Sequence, residues 1–466
     1  ADLTEKKLTA VRAPPMRRLP QLSRTDGGSS MSHKIDRRTF LKGAAAGGFG
    51  FVFLRNSRTA FGYEANEKLD IAIIGCGGRG GGNIGGVAGE NIVALCDTNE
   101  NAMAEQARKF PDAKLFPDFR RMLDRMGRQI DAVVVSTPDH THAVASLMAI
   151  KMGKHCYCEK PLTYTIYEAR AMRDAARRHG VATQMGNQGT ANSGLREAVE
   201  VIRAGALGQV YEVHVWSNRP VWPQGVERPT DTPPVPKELH WDLWLGPAPY
   251  RPYHPCYQPF NWRGWIDFGT GAIGDMGCHT LNMPFMALDL RRPISVEAEV
   301  FEMTSESYPK RSIVEYLFPE RGDLRTLRLK WYDGGLKPPA DVLYGRELPG
   351  SGIAIVGDGG RMFSGDDYGS NYELLPKDRF ADFKKPEPTL PRSPGHHEEW
   401  IRACKGGEPA MSNFDYAAAL TETALLGNLA VLVREPIYWD AENLRAINCS
   451  KADRYLNRPY RAGWSL

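Results

Sequence analysis

A Cys-x-x-Cys pair is missing from this chain of 466 residues, whose eight cysteines are scattered from position 76 to position 449 with only Cys156 and Cys158 close together. This spacing excludes a small disulfide-stapled scaffold and argues against a zinc site, because a structural zinc needs about four nearby ligands. The 47 glycines follow no strict period, which excludes a collagen-like chain. We therefore expect most cysteines to be buried as small hydrophobic residues, and no metal.

No hydrophobic run near the start is long enough to span a membrane, because residues 43–54 form an uncharged apolar stretch of only 12 residues and a spanning helix needs about 20. The stretch follows the residues RRTFLK at 37–42 and precedes a small-residue site at 60–62. This order resembles a twin-arginine export signal. It predicts a mature chain beginning near Tyr63, a periplasmic or otherwise exported protein, and a tightly held cofactor, since that route moves folded proteins. The alternative is a chance arginine pair in a basic tail.

The globular part lacks a basic excess. The first 62 residues carry 12 Lys/Arg and four Asp/Glu, so the rest holds 47 Lys/Arg against 51 Asp/Glu, a net charge of −4. Nucleic-acid binders usually carry a clustered basic footprint on the domain itself, so this balance argues against that class. The length and the 42% apolar composition instead predict two packed domains with accessory segments.

A glycine-rich turn follows the first apolar run of the globular part, where residues 69–80 are LDIAIIGCGGRG. A G-x-G-x-x-G spacing after a strand and before a helix is typical of dinucleotide sites. Its first glycine permits the tight turn, the second lets the backbone approach the pyrophosphate, and the third allows close packing of the helix, whose N-terminus meets the negative charge. The alternative is a turn without a ligand. The predicted binding residues are Gly75, Gly77, Gly78, Arg79 and Gly80.

A second predicted strand, residues 92–95, leads to Asp97, seventeen residues beyond Gly80. A carboxylate there would hold the adenosine ribose hydroxyls and repel a 2′-phosphate. Because Thr98 and Asn99 provide no adjacent arginine, NAD(H) is favoured over NADP(H). Two further predicted strands, 131–136 and 155–158, complete the pattern of a parallel sheet.

Four motifs occur in order: the glycine turn at 75–80, Thr-Pro-x-x-x-His at 137–142, Glu-Lys-Pro at 159–161 and Asp-x-x-x-His at 275–279. Together they resemble the glucose-fructose oxidoreductase, inositol dehydrogenase and rhizopine-catabolism (Gfo/Idh/MocA) oxidoreductases, over residues 68 to about 440. The resemblance implies an α/β fold: an N-terminal Rossmann dinucleotide-binding domain, and a C-terminal α+β domain with a large, mostly antiparallel sheet. It also implies a homo-oligomer assembled through that sheet.

The resemblance places Lys160 beside the nicotinamide and the reacting carbon, with Glu159 on the nicotinamide ribose. An ammonium suits that position because it stabilises the alkoxide that forms as a hydroxyl loses its proton. Further cofactor contacts are assigned to Ser136, Thr137, Pro138, His142 and Asn187. His142 also suits a packing or helix-capping role, and Asn187 stands where the family often has an arginine-containing segment.

Asp275 and His279 are four residues apart, which places them on one face of a helix. The resemblance makes His279 the general base and lets Asp275 orient the substrate or the imidazole. The alternative is an aspartate that caps the helix beside a core histidine.

Residues 216–265 hold six of the ten tryptophans, and eleven prolines lie between positions 220 and 259. Rigid aromatic walls suit a carbohydrate, whose C–H faces stack on indole. The alternative is a loop packed on its own core or on a neighbouring subunit. Asn261, Trp262 and Arg263 are the preferred substrate contacts because they are the cluster nearest the catalytic helix in sequence.

These patterns predict a leader (1–62), an NAD-binding domain (63–187) and a substrate-binding and oligomerisation domain (188–466). The predicted function is an exported NAD-dependent oxidoreductase acting on a CH–OH group of a sugar, cyclitol or related polyol. One alternative is a redox-neutral, NAD-dependent glycosidase or lyase working through a keto-sugar. The other is a non-catalytic NAD-binding sensor, since a fold does not guarantee activity.

Overall fold

The computed structural model describes residues 68–322 and 324–466. The predicted leader, its arginine pair and its cleavage site lie outside the described residues, so they stay predictions. The predicted boundary between residues 187 and 188 lies after the last strand of the N-terminal domain, in the connection to the first helix of the second domain.

The N-terminal domain alternates strands and helices. Its strands are β1 Asp70–Ile74, β2 Asn91–Cys96, β3 Lys114–Phe116, β4 Ala132–Val135, β5 His155–Cys158 and β6 Thr183–Met185. Its helices are α1 Arg79–Val87, α2 Glu100–Ala107, α3 Phe119–Met126, α4 His142–Lys151 and α5 Ile166–His179. The six strands are parallel and pair in the order β3-β2-β1-β4-β5-β6. The predicted parallel sheet is therefore confirmed.

The sequence of the central strands explains this layer. β4 is the run AVVV, and all four of its residues are buried, as expected where helices cover both faces of a parallel sheet. The strand order reverses at β1, which pairs with β2 on one side and β4 on the other. Ligands of open α/β sheets bind in the crevice at the carboxyl ends of the strands beside such a reversal. The topology therefore places a ligand crevice beyond Ile74 and Val135.

The C-terminal domain contains a nine-stranded sheet. Its strands are β7 Val210–Trp216, β8 Ser295–Phe301, β9 Arg311–Phe318, β10 Leu327–Tyr332, β11 Gly352–Gly357, β12 Arg361–Ser364, β13 Glu373–Leu375, β14 Ile437–Asp440 and β15 Arg445–Ala446. Its helices are α6 Ser193–Arg203, α7 Trp241–Leu245, α8 Gly271–Thr280, α9 Asn282–Leu288, α10 His396–Cys404, α11 Phe414–Val433 and α12 Asp453–Leu456. The order is β13-β12-β11-β7-β10-β9-β8-β14-β15. Only the β7–β10 pair is parallel, which confirms the mostly antiparallel sheet.

Helix α11 connects the two domains. Its Thr421 hydroxyl accepts a hydrogen bond from the backbone N–H of Leu162 at 3.3 Å, and Glu422 forms an ion pair of 2.6 Å with Arg170 of α5. Among the described residues α11 is the one helix long and apolar enough to cross a membrane, but most of it is buried inside the fold. It is thus a core helix that fixes α5 and α8 relative to each other.

The tryptophan- and proline-rich segment forms a small core of its own, in which the rings of Trp241 and Trp244 stack with centroids 4.7 Å apart. The His140 ring of the Rossmann domain lies between the carbonyl oxygens of Trp244 and Phe268, at 3.0 and 3.1 Å. The segment therefore packs mainly on itself and on the Rossmann domain, the second of the two predicted alternatives. Trp244 and Trp262 also line the cavity described below.

All eight cysteines lie in the described part of the chain and are free; seven are buried, and Cys256 is half-buried. The expectation of buried, unpaired thiols is confirmed. Within residues 68–322 and 324–466, no group of three or more His, Cys, Asp or Glu is placed to hold a metal ion.

Candidate active site

A cavity of about 610 Å³ lies at the carboxyl ends of the central Rossmann strands and is closed on its other side by the C-terminal domain. We call its two parts the glycine end and the lysine end. The glycine end is lined by Gly75, Gly77, Gly78, Arg79, Asp97, Thr98, Asn99, Ala102, Pro117, Phe119, Ser136, Thr137 and Pro138. The lysine end is lined by Asp139, Glu159, Lys160, Gln188, Arg219, Phe260, Trp262, Arg263, Asp275, His279 and Tyr368.

The glycine end is shaped by backbone that admits no side chain. Gly75 has φ 92°, and a Cβ there would lie 2.6 Å from the carbonyl oxygen of Ser136, while a Cβ on Gly80 would overlap the carbonyl oxygen of Gly75. A Cβ on Gly78 would meet no atom within 4 Å, so its open space belongs to the cavity. Helix α1 begins here with no acidic residue in its first turn and no side-chain cap. Free N–H groups at a helix N-terminus bind phosphate, so this end fits a dinucleotide pyrophosphate.

Asp97 follows β2 and holds the glycine turn. One of its carboxylate oxygens accepts hydrogen bonds from the backbone N–H groups of Cys76 (2.7 Å) and Gly77 (3.4 Å), and the other from that of Asn99 (2.8 Å). Burial raises the pKa of Asp97, and these three bonds oppose the rise. The cavity wall beyond it is formed by Ala102, Pro117 and Phe119. This wall offers no cation for a 2′-phosphate, as the preference for NAD requires.

Glu159, at the end of β5, ties the sheet to α1. Its Oε1 accepts hydrogen bonds from Nε of Arg79 at 3.0 Å, Nδ2 of Asn83 at 2.8 Å and Nε2 of Gln188 at 3.3 Å. The carboxylate lines the cavity, and its contact with a nicotinamide ribose stays a prediction.

Lys160 and Asp275 form the ion pair at the centre of the lysine end. The Lys160 ammonium donates to Oδ1 of Asp275 at 2.6 Å and to its backbone carbonyl at 2.7 Å. Burial alone would raise the pKa of Asp275, but the charges of Lys160 and Arg263 outweigh burial and hold it at about 2. The carboxylate is therefore ionised across the physiological range, and its ion pair holds the Lys160 side chain in position.

His279 lies one turn after Asp275 on α8, is buried, and faces the cavity. Its Nδ1 is a buried atom without a hydrogen-bond partner in the described structure, and the Tyr368 ring packs edge-on against it at 4.8 Å. Burial first, and the Lys160 charge second, hold its pKa well below the ordinary value. The imidazole is therefore neutral near pH 7 and can accept a proton. Within residues 68–322 and 324–466, Asp275 and His279 form no hydrogen bond with each other, and Asp275 pairs with cations instead. Its predicted role in orienting the substrate or the imidazole stays a prediction.

Three predicted contacts lie elsewhere. The buried His142 has its two ring nitrogens 2.8 Å from the carbonyl oxygens of Pro161 and Thr137, so it fixes these backbone segments and does not line the cavity. Asn187 is buried between the carbonyl of Cys278 (3.2 Å) and the hydroxyl of Ser412 (2.5 Å). Asn261 lies in the same short helical turn as Trp262 and Arg263, but only those two reach the cavity wall. His142 and Asn187 thus have structural contacts, and the predicted cofactor and substrate contacts of all three residues stay predictions.

Two cavity residues that contact the side chains of Asp275 and His279 escaped the sequence analysis. Arg219 follows β7 and reaches Asp275, with Nε 3.6 Å from Oδ2. Tyr368 lies in the connection after β12 and covers His279. Neither belongs to a local motif. The one available signal was that Arg219 lies inside the tryptophan- and proline-rich segment.

The Rossmann order, the glycine turn and the closing second domain define a two-domain dinucleotide-binding protein. Residues 69–187 match the model of an oxidoreductase family, NAD-binding Rossmann fold, and residues 196–324 match the C-terminal alpha/beta domain of the same family. Together these ranges cover more than half of the sequence. The chain belongs to the Gfo/Idh/MocA oxidoreductase family, and the predicted NAD cofactor is confirmed by that match.

Two curated relatives share part of the sequence. A levoglucosan dehydrogenase of Pseudarthrobacter phenanthrenivorans is 26% identical over 195 residues, which is 41% of this chain and 40% of the relative. A glycosyl hydrolase family 109 protein of Solibacter usitatus is 31% identical over 199 residues, 38% of this chain and 44% of the relative. The matches thus span less than half the length of these relatives.

Among solved structures, the WlbA dehydrogenase from Bordetella pertussis, in complex with NADH and UDP-GlcNAcA, has a TM-score of 0.58 at 17% sequence identity. The match covers 80% of this chain and 99% of that chain. It shows that the whole two-domain fold is shared.

Proposed function

We propose that this protein is an NAD-dependent oxidoreductase that oxidises a CH–OH group of a sugar, cyclitol or related polyol. The observation that carries the proposal is the charged Lys160–Asp275 pair beside a neutral His279, in the same cavity as the dinucleotide-binding glycine turn. A substrate alcohol that gives up a hydride needs a group that accepts the proton of its hydroxyl and a cation that stabilises the alkoxide as it forms. The lysine end supplies both.

When bound, NAD supplies the hydride acceptor. His279 takes the hydroxyl proton on its neutral imidazole, and the Lys160 ammonium stabilises the oxygen from which it leaves. Asp275, with its pKa of about 2, is ionised and fixes the Lys160 side chain in position. Trp244 and Trp262 line the same cavity and offer apolar faces to the C–H groups of a sugar ring while excluding water. The sugar-directed names of the curated relatives support this substrate class.

A redox-neutral glycosidase or lyase is the second candidate, and the glycosyl hydrolase family 109 relative favours it. In that chemistry the substrate is oxidised transiently, a glycosidic bond is lost by elimination, and the hydride returns. The same His279 and Lys160 would serve the oxidation, so the two candidates differ in product.

The purified protein separates these candidates. We would measure its bound nicotinamide and then follow the absorbance of the reduced cofactor while adding matched sugars and glycosides. Lasting reduction with formation of a ketone or lactone supports the dehydrogenase, and glycoside cleavage without net reduction supports the second candidate. Cofactor binding with neither reaction would contradict both and favour a non-catalytic sensor. The Lys160→Ala protein is the control, since it should lose either reaction.

Export by the twin-arginine route, a tightly held cofactor and self-association are parts of the same proposal. The leader pattern at residues 37–62 supports the first two, and the extended nine-stranded sheet offers a face for a second copy. Replacing Arg37 and Arg38 by lysines should abolish export of the full-length chain. Nicotinamide should survive extensive dialysis of the purified protein, and light scattering should give a mass above 51.8 kDa.

A further inference from the structure

The lysine end carries more positive than negative charge. Three cations surround the single carboxylate of Asp275: Lys160 at 2.6 Å, Arg263 at 3.2 Å and Arg219 at 3.6 Å. One carboxylate cannot neutralise three cations, and buried or half-buried charges are poorly screened by solvent. The lysine end of the cavity therefore carries net positive charge, which favours the binding of an anion.

Neighbouring acids do not remove the excess. Glu159 is already paired with Arg79 at 3.0 Å. Asp139 also borders the cavity, and its carboxylate accepts a hydrogen bond from the Thr270 hydroxyl at 2.6 Å. Even with Asp139 counted as ionised, the lysine end has three cations against the two carboxylates of Asp275 and Asp139. The cations therefore exceed the anions by one.

Both arginines keep donors available to a ligand. Arg263 uses Nε for Asp275 and Nη1 for the Phe260 carbonyl at 3.1 Å, and its guanidinium is held 4.3 Å from the Phe260 and Trp262 rings. Arg219 uses Nη1 for the side chain of Asn218. Within residues 68–322 and 324–466, no hydrogen bond reaches Nη2 of either arginine. Aromatic packing fixes Arg263, and a fixed guanidinium fork matches a carboxylate.

We propose that the substrate is a sugar acid whose carboxylate is bound by Arg219 and Arg263 while its carbinol faces Lys160 and His279. This inference rests on the proposed function and narrows its substrate class. An anionic oxygen group is the chemistry that both arginines recognise, and it could belong to a carboxylate or to a phosphate. An excess of one charge matches a carboxylate monoanion better than a phosphate dianion.

The test measures binding apart from turnover. Because Trp244 and Trp262 line the cavity, ligand binding should change tryptophan fluorescence of the full chain loaded with NADH. The ligands are matched pairs, glucose with glucuronate and galactose with galacturonate, together with glucose 6-phosphate. We expect at least one acid to bind roughly tenfold more tightly than its neutral partner, as charge-assisted hydrogen bonds allow, and more weakly as salt rises.

Arg219→Gln and Arg263→Gln should each remove this preference by weakening the acid about tenfold more than its neutral partner. Arg263→Lys keeps the positive charge but loses the planar guanidinium with its paired donors, so this variant should keep part of the preference for the acid. Arg346→Gln is the matched control, because Arg346 pairs with Glu373 at 3.0 Å outside the cavity, and it should change nothing.

Equal or tighter binding of the neutral partners, or a lack of binding by every acid, overturns the inference. If glucose 6-phosphate binds more tightly than any sugar acid, the proposed carboxylate ligand is wrong, and the two arginines are assigned to a phosphate group. Failure of the proposed function looks different: a preferred acid would bind without reducing NAD at any pH. Oxidation of neutral sugars alone would keep the proposed function and reject the sugar acid.

Discussion

The two ends of the cavity are built in different ways. The glycine end comes largely from one short stretch, β1 to Asn99, and presents backbone N–H groups and one carboxylate. The lysine end is assembled from side chains at positions 160, 219, 263, 275, 279 and 368, which lie far apart in the sequence. The comparison teaches that cofactor binding here is a property of local backbone shape, whereas substrate chemistry is a property of tertiary packing.

The difference extends to charge. At the glycine end Asp97 is bonded to neutral backbone donors, while at the lysine end Asp275 faces three cations. The pKa of Asp97 is raised and that of Asp275 is lowered to about 2, although burial pushes both upward. Neighbouring cations therefore decide the electrostatics of the lysine end.

Removing the central cation should have the largest effect. Lys160→Met should lower kcat by roughly 10³-fold, because a positioned group of this kind contributes about 10²–10⁴-fold to proton transfer and charge stabilisation. NAD affinity should fall far less than kcat, because most of the predicted dinucleotide-binding residues belong to the glycine end. Steady-state kinetics and calorimetric titration of NAD measure the two quantities. Turnover within tenfold of the wild type, or a matching loss of NAD affinity, would contradict the separation of the two ends.

A methyl group at the glycine end should instead weaken the binding of NAD. Gly75→Ala places a Cβ 2.6 Å from the Ser136 carbonyl oxygen at φ 92°, a strain of about 1–3 kcal/mol. NAD affinity should fall by up to about 100-fold, which calorimetric titration would show. Gly89→Ala is the matched control, since its Cβ would meet no atom within 4 Å. Equal losses in the two variants would mean that any glycine of this region serves stability alone.

The same contrast explains what the sequence could predict. The parallel sheet, the glycine turn and Asp97 follow from local patterns, because spacing along one stretch determines their geometry. Arg219 and Tyr368 were missed because only the packing of β7 and of the connection after β12 brings them to α8. His142 occupies a motif position and Asn187 follows the last Rossmann strand, yet their side chains are bonded to backbone carbonyls and to Ser412. A motif fixes a position in the chain but not the direction of each side chain.

Asp97 tests the glycine end with a smaller change. Asp97→Asn keeps a hydrogen-bond acceptor for Cys76 and Gly77 but removes the charge that repels a 2′-phosphate. The ratio of NADP to NAD affinity should rise about tenfold, close to the 1.4 kcal/mol of one charge-assisted contact. Asp118→Asn is the control, because Asp118 pairs with Arg120 and is not among the residues that line the cavity. An unchanged ratio would assign Asp97 to turn stability only.

The smallest expected effect concerns pH. A histidine with an ordinary pKa of 6.5 would be half protonated at that pH, but burial and Lys160 lower the pKa of His279 well below it. The base is active when unprotonated, so kcat/KM should stay nearly constant between pH 7.5 and 6.5, where a base with a pKa of 6.5 would lose nearly half of its activity. It should decline only as pH passes through the lower folded-state pKa. An acid limb centred at 6.5 would contradict this. NMR titration of His279 sharpens the comparison. Lys160→Met should raise the pKa of His279, because the largest of the charges that depress it has gone, whereas Asp97→Asn should leave that pKa unchanged. Equal shifts in both variants would mean that the two ends of the cavity share one electrostatic field.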